Sequence, residues 1–160
     1  MGKYTLNHNE LTQYGLLRSQ VALLDENIKE AEDELAEINK YHMDISPVYS
    51  GMPSGNEKRD KIGDFIIRLE ADRDSINSKL STLKAERAFY MYSLHKIRNA
   101  VNKIVDEQLK QIIKWHYFEG LSIDDVALKS NLTLDGVYKK LNRFWERRKR
   151  NGGSLSNNSG

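Results

Sequence analysis

The feature that most constrains this chain is an apolar repeat. Tyr14, Leu17, Val21, Leu24, Ile28, Ala31, Leu35 and Ile38 follow one another at alternating steps of three and four. Such spacing keeps one stripe of an α-helix turned toward a partner helix, the signature of a heptad seam. It predicts a helix over about residues 9–42, roughly 50 Å long at 1.5 Å per residue, with Asn7 or Asn9 as its cap. A second helix, over about 58–104, carries the same register through Ile62, Ile66, Leu69, Ile76, Leu80, Leu83, Tyr90, Leu94, Ile97, Val101 and Ile104. Between them Pro47, Gly51, Pro53 and Gly55 mark a turn over 43–57, where the chain reverses. Arg73 and Arg87 interrupt one lane of the second helix and read as arginines snorkelling at the edge of the seam.

A two-helix seam has no use for a further apolar lane, yet Leu16 and Leu23 form one that becomes Glu30 and Glu37 farther along. The run Phe89-Tyr90-Met91-Tyr92 is apolar nearly all round. Both point to more helices at that end, from a second copy of the chain or from the C-terminal segment. A homodimer paired through the helical arm is the expectation.

Composition excludes several classes. The 160 residues contain no cysteine, which removes disulfides, thiolate metal sites and cysteine nucleophiles. No run approaches the roughly 20 apolar residues of a membrane span, and the N-terminus has no apolar signal core. A cytoplasmic protein with no membrane partner is expected. His8, His42, His95 and His116 are scattered rather than set at metal-ligand spacing. Gly51 and Gly55 precede no Gly-Lys-Ser/Thr, so they form no phosphate loop. With no catalytic constellation and no cofactor motif, the chain reads as a non-enzyme.

Net charge is only +2 but unevenly placed. The first helix is acidic, whereas Lys139, Lys140, Arg143, Arg147, Arg148, Lys149 and Arg150 face Glu146 alone between residues 137 and 150. That end is suited to a polyanion. It also changes character into three short helices. Asp106 caps one that carries Leu109, Ile112, Ile113 and Tyr117 and is stopped by Gly120. Ser122 caps the second, Asn131 supplies the turn and Thr133 caps the third. Val126 and Ala127 should face Leu132, Val137 and Leu141, leaving the basic side of the third helix outward. Two short helices joined by a tight turn, the second one basic, are what helix-turn-helix DNA binding requires.

The run Trp115-His116-Tyr117-Phe118-Glu119-Gly120-Leu121-Ser122-Ile123-Asp124-Asp125-Val126-Ala127, followed by Asn131-Leu132-Thr133 and Val137, resembles the region-four domain of bacterial sigma factors. The whole chain is similar to the ArpU-type late transcriptional regulators of Gram-positive phages, in its heptad half, in Ser50-Gly51-Met52-Pro53-Ser54-Gly55 and in the helix opening at Asp60-Lys61-Ile62. It departs from the usual pattern at Lys129-Ser130-Asn131 and Asp135-Gly136. The resemblance implies phage origin and gene activation, acting on late genes in the bacterial host cytoplasm; RNA polymerase is a further candidate partner, read from the arm as an interaction module.

The expected architecture is therefore all-α. A coiled-coil arm, a long antiparallel helical hairpin, spans 1–104, a sigma-factor region-four-like helix-turn-helix domain spans 105–150, and a disordered tail spans 151–160. The expected partner is double-stranded DNA. Leu134, Asp135, Tyr138, Lys139 and Asn142 are the candidates for base edges, and Thr133, Lys140, Arg143 and Arg147 for phosphates. Asn142 suits adenine, Lys139 guanine and Asp135 cytosine, although Asp135 is equally well placed simply to complement the helix N-terminus. The expected function is sequence-specific transcription regulation. The alternatives are a phage small-terminase-like packaging protein, which would form a large ring, and a module that binds RNA polymerase or a repressor.

Overall fold

A computed structural model of the chain describes residues 5–50 and 57–156. Among the described residues every regular element is helical: α1 His8–Thr12, α2 Tyr14–Ser50, α3 Glu57–Asn102, α4 Glu107–Ile113, a π-helical turn Lys114–Phe118, α5 Ile123–Ser130 and α6 Leu134–Ser156. The chain divides into two compact units. One is Gln20–Tyr90, and the other joins Met1–Ser19 to Met91–Gly160.

In the Gln20–Tyr90 unit the heptad lanes form the core. Val21, Leu24, Ala31, Leu69 and Leu80 are buried, and Ile28, Leu35, Ile38, Ile66 and Leu83 are half-buried beside them. Asp25 pairs with Arg87, Glu32 with Lys84 and His42 with Glu70. Rising numbers on α2 therefore meet falling numbers on α3, so the two segments run antiparallel. Arg87 remains partly exposed and reaches Asp25 from the seam edge, as a snorkelling side chain does. Leu23 is about half exposed.

The helix of the first lane differs from its expected limits. It runs to Ser50 rather than ending near residue 42, because a proline such as Pro47 weakens a helix without always stopping it. Its N-terminus is also broken. Asn7 caps the short α1 by accepting from the Glu10 N–H at 2.8 Å, and Gln13 separates α1 from α2. Gly51, Pro53 and Gly55 of the expected turn lie outside the described residues. Residues 151–156, expected to be disordered, continue α6 as helical backbone.

In the other unit the core is assembled from both ends of the sequence. Leu6, Leu11, Tyr14, Leu94, Ile97, Val101, Ile112, Ile113, Val126 and Val137 are almost wholly buried. Tyr14 stacks on Phe118 with ring centroids 4.0 Å apart and accepts a hydrogen bond from Arg98 Nε at 2.6 Å. Arg18 donates to the Phe118 carbonyl at 3.1 Å, and Arg148 donates to that of Leu6 at 3.0 Å. His8 meets the Trp145 ring edge-to-face at 5.0 Å. Residues 5–19 are thus part of the C-terminal unit rather than of a separate arm. The expected boundary at residue 104 gives way to a unit that is discontinuous in sequence. Each fully buried leucine or valine contributes about 1.5–3 kcal/mol of apolar burial, so this docking is a substantial part of the unit's stability.

Candidate nucleic-acid interface

The site is built from local chemistry in α4, α5 and α6. The Asp106 carboxylate accepts the Leu109 N–H at 3.2 Å and starts α4, burying Leu109, Ile112 and Ile113. The chain then loosens into the π-helical turn, where the Glu119 N–H bonds the Lys114 carbonyl and the Leu121 N–H bonds that of Trp115. Gly120 adopts φ +75°, a left-handed conformation open to glycine at little cost. His116 Nδ1 lies 2.8 Å from the Leu121 carbonyl oxygen. A carbonyl only accepts, so Nδ1 carries the proton and the ring clamps the exit of the turn. Burial pushes the Tyr117 phenol up, offset in part by the Trp145 indole N–H. That indole nitrogen is itself buried and completes no hydrogen bond, so the Tyr117 hydroxyl faces it without closing a full bond.

The Ser122 hydroxyl accepts the Asp125 N–H at 3.2 Å and opens α5, whose buried residues are Val126 and Ala127. Asn131 ends the helix at φ 56°, with its own N–H turned to the Leu128 carbonyl and the Leu132 N–H bonded to that of Ala127. This is a Schellman closure with asparagine in the place usually taken by glycine. Thr133 then accepts the Gly136 N–H at 3.0 Å and opens α6. Only Asn131, Leu132 and Thr133 separate the two helices, so α6 is aimed by two adjacent caps. Val137 and Leu141 are buried where α6 packs on α5.

At roughly 100° per residue the nine candidate contact residues on α6 and its cap sort into two arcs. Leu134, Asp135, Tyr138, Lys139 and Asn142 share one, and all five are exposed. Thr133, Lys140, Arg143 and Arg147 share the next, with Lys140 half-buried and the other three exposed. Two of these cations already hold carboxylates. Lys139 Nζ lies 2.9 Å from Asp135 Oδ2, one turn away on the same helix, and Lys140 Nζ lies 3.1 Å from Asp106 Oδ2. The first pair is exposed at both ends and worth well under about 1 kcal/mol, so it holds Lys139 only weakly. The second ties α6 to the cap of α4. The Lys140 hydrogen bond is the main reason the Asp106 carboxyl is held below its ordinary value, with the Leu109 N–H adding to it.

No family model, no curated protein and no solved structure matches the chain.

The arc placed outward thus combines planar and amide hydrogen-bonding groups with a flanking row of cations. Among the described residues no group of three or more His, Asp or Glu stands together as a metal site, and no helix is long and apolar enough to cross a membrane. Two features of the site lay beyond the sequence reading. Arg148, part of the basic run, turns back to the Leu6 carbonyl, and Lys129 sits over the Trp115 ring at 5.6 Å. The latter is a cation–π contact that stiffens the turn before α5.

Proposed function

We propose that the protein is a sequence-specific DNA-binding transcription regulator, with α5 and α6 as a helix-turn-helix and α6 as the helix that enters the major groove. The observation that carries this reading is the double-capped junction from Ser130 to Gly136, which presents one exposed face of α6. On that face Asn142 and Lys139 can meet base edges while Arg143 and Arg147 meet phosphates. The sigma-factor-like and ArpU-like features of the sequence agree with it and suggest a phage late-gene role.

Dimerisation through a helical-hairpin arm belongs to the same proposal. One short helix reads only a few base pairs, and a second reading head roughly doubles the contacts. Leu16, 61% exposed, and Leu23, 51% exposed, supply apolar surface for it.

The test is genome-wide footprinting of the tagged protein, with binding of the recovered fragments measured against random competitor in dilute buffer. Discrete sites and preferential binding support the reading. Equal affinity for any duplex, or none, rejects it. Light scattering checks the arm: a dimer agrees with a regulator, whereas a large ring points to packaging.

A further inference from the structure

The second flank of α6 borders a groove that base reading does not use. Ile104, Val105, Leu109 and Phe144 line a cavity of about 450 Å³ together with Lys103 and Arg147. It continues into a smaller recess of about 160 Å³, where Lys140 and Arg143 join the lining. Val105 is 94% exposed, although it lies in a short segment fixed between the end of α3 and the capped start of α4. The lone carboxylate of the two cavities is Asp106, already paired with Lys140. The lining is therefore apolar and positively charged.

We propose that this groove docks an acidic, amphipathic peptide segment of a partner protein. An aliphatic or aromatic side chain seats on Ile104, Val105 and Phe144, while flanking carboxylates meet Lys103, Arg143 and Arg147. Charge complementarity selects the acidic partner, and the apolar lining separates it from nucleic acid. A phosphate backbone would engage the cations but gain nothing from Val105 or Ile104. The volume lies in the range of sites that enclose a few side chains. The base-edge arc of α6 is left free by this docking, but Arg143 and Arg147 are the same cations that are proposed to meet phosphates, so peptide and duplex would compete for them.

Fluorescence anisotropy tests it with the full chain and a labelled short peptide of Glu and Asp around a central Leu-Phe pair, beside a control with Ser-Ser in place of that pair. The first peptide should bind, and either the Ser-Ser exchange or Val105→Glu should weaken it about tenfold, near 1.4 kcal/mol. Lys103→Glu should weaken it as well. Val105→Glu should leave thermal unfolding unchanged, since that side chain is in solvent. Absence of peptide binding, equal binding of the two peptides, or indifference to Val105→Glu overturns the proposal. Loss of duplex affinity on Val105→Glu without loss of peptide would also overturn it and assign the groove to DNA.

Discussion

The Lys140 ammonium lies 3.1 Å from Asp106 Oδ2, so the helix proposed to read DNA is tied to the residue that opens the first helix of its unit. Lys140 must loosen that pair before it can meet a phosphate. Asp106→Asn keeps an oxygen for the Leu109 N–H and removes the competing charge. It should tighten duplex binding and steepen the salt dependence by up to about one unit of slope. Titrations at several salt concentrations check this, and an unchanged slope would place Lys140 away from the duplex.

The same carboxylate makes stability respond to acid. Its folded-state value is depressed, chiefly by Lys140, so its contribution is present above the unfolded value of 3.8 and is lost as pH falls through the lowered folded value. The pair is solvent-screened, so the loss should stay below about 1 kcal/mol. Urea melts of the native chain and of Asp106→Asn, taken from neutral pH down to about pH 2, should differ most at neutral pH and converge in acid.

Lys139 and Arg143 carry charge on the two exposed arcs of α6. Replacing either with alanine should weaken duplex binding, and loss of Arg143, the phosphate contact, should also flatten the salt slope by about one. Thermal stability should barely move, because neither side chain is in the core. Electrophoretic or anisotropy titrations read the slope directly.

Leu11 is fully buried although α1 is only a short helix. Leu11→Ala should cost about 2–5 kcal/mol by the cavity it leaves. The loss should appear as earlier melting of the C-terminal unit, followed by Trp115 and Trp145 fluorescence. An effect under about 0.5 kcal/mol, the scale of an ordinary surface change, would mean that residues 5–19 do not support that unit.

Two glycines should answer alanine differently. Gly120 holds φ +75°, so Gly120→Ala should cost about 1–2 kcal/mol. At Gly136 an added Cβ would stand 3.1 Å from Thr133 Oγ1, the oxygen that caps α6. The helical gain of about 1 kcal/mol from alanine is then offset by displacement of the cap, and Gly136→Ala should melt close to the native chain. Calorimetry of both variants makes the comparison.

What was legible in the sequence was local. Asp106, Ser122 and Thr133 each cap the helix their position announced, and Asn131 supplies the turn, because a cap needs only a side chain and an N–H three residues on, whereas Asn7 caps a short helix of its own and not the long one. The seam lanes were equally legible, since burial follows the three-and-four spacing through Val21, Leu24, Ala31, Leu69 and Leu80. The docking of Leu6 and Leu11 against the far end of the chain was hidden, because no periodicity records a contact between residues more than a hundred positions apart. The π-helical turn at Lys114–Phe118 was hidden as well: its residues read as ordinary helix until Gly120 draws the backbone out. At the candidate interface the outward residues of α6 could be named, but not that Lys140 and Arg148 face Asp106 and Leu6, which depends on how α6 lies on α4 and on the N-terminal segment.

A unit assembled from Met1–Ser19 and Met91–Gly160 has a consequence for synthesis. The first of its pieces leaves the ribosome long before the second exists, so Leu6, Leu11 and Tyr14 must wait, uncovered, until most of the polypeptide has been made. Closing so long a loop slows folding. A nascent chain stalled before α6 emerges would carry its apolar N-terminal segment bare, a target for chaperones rather than a finished unit.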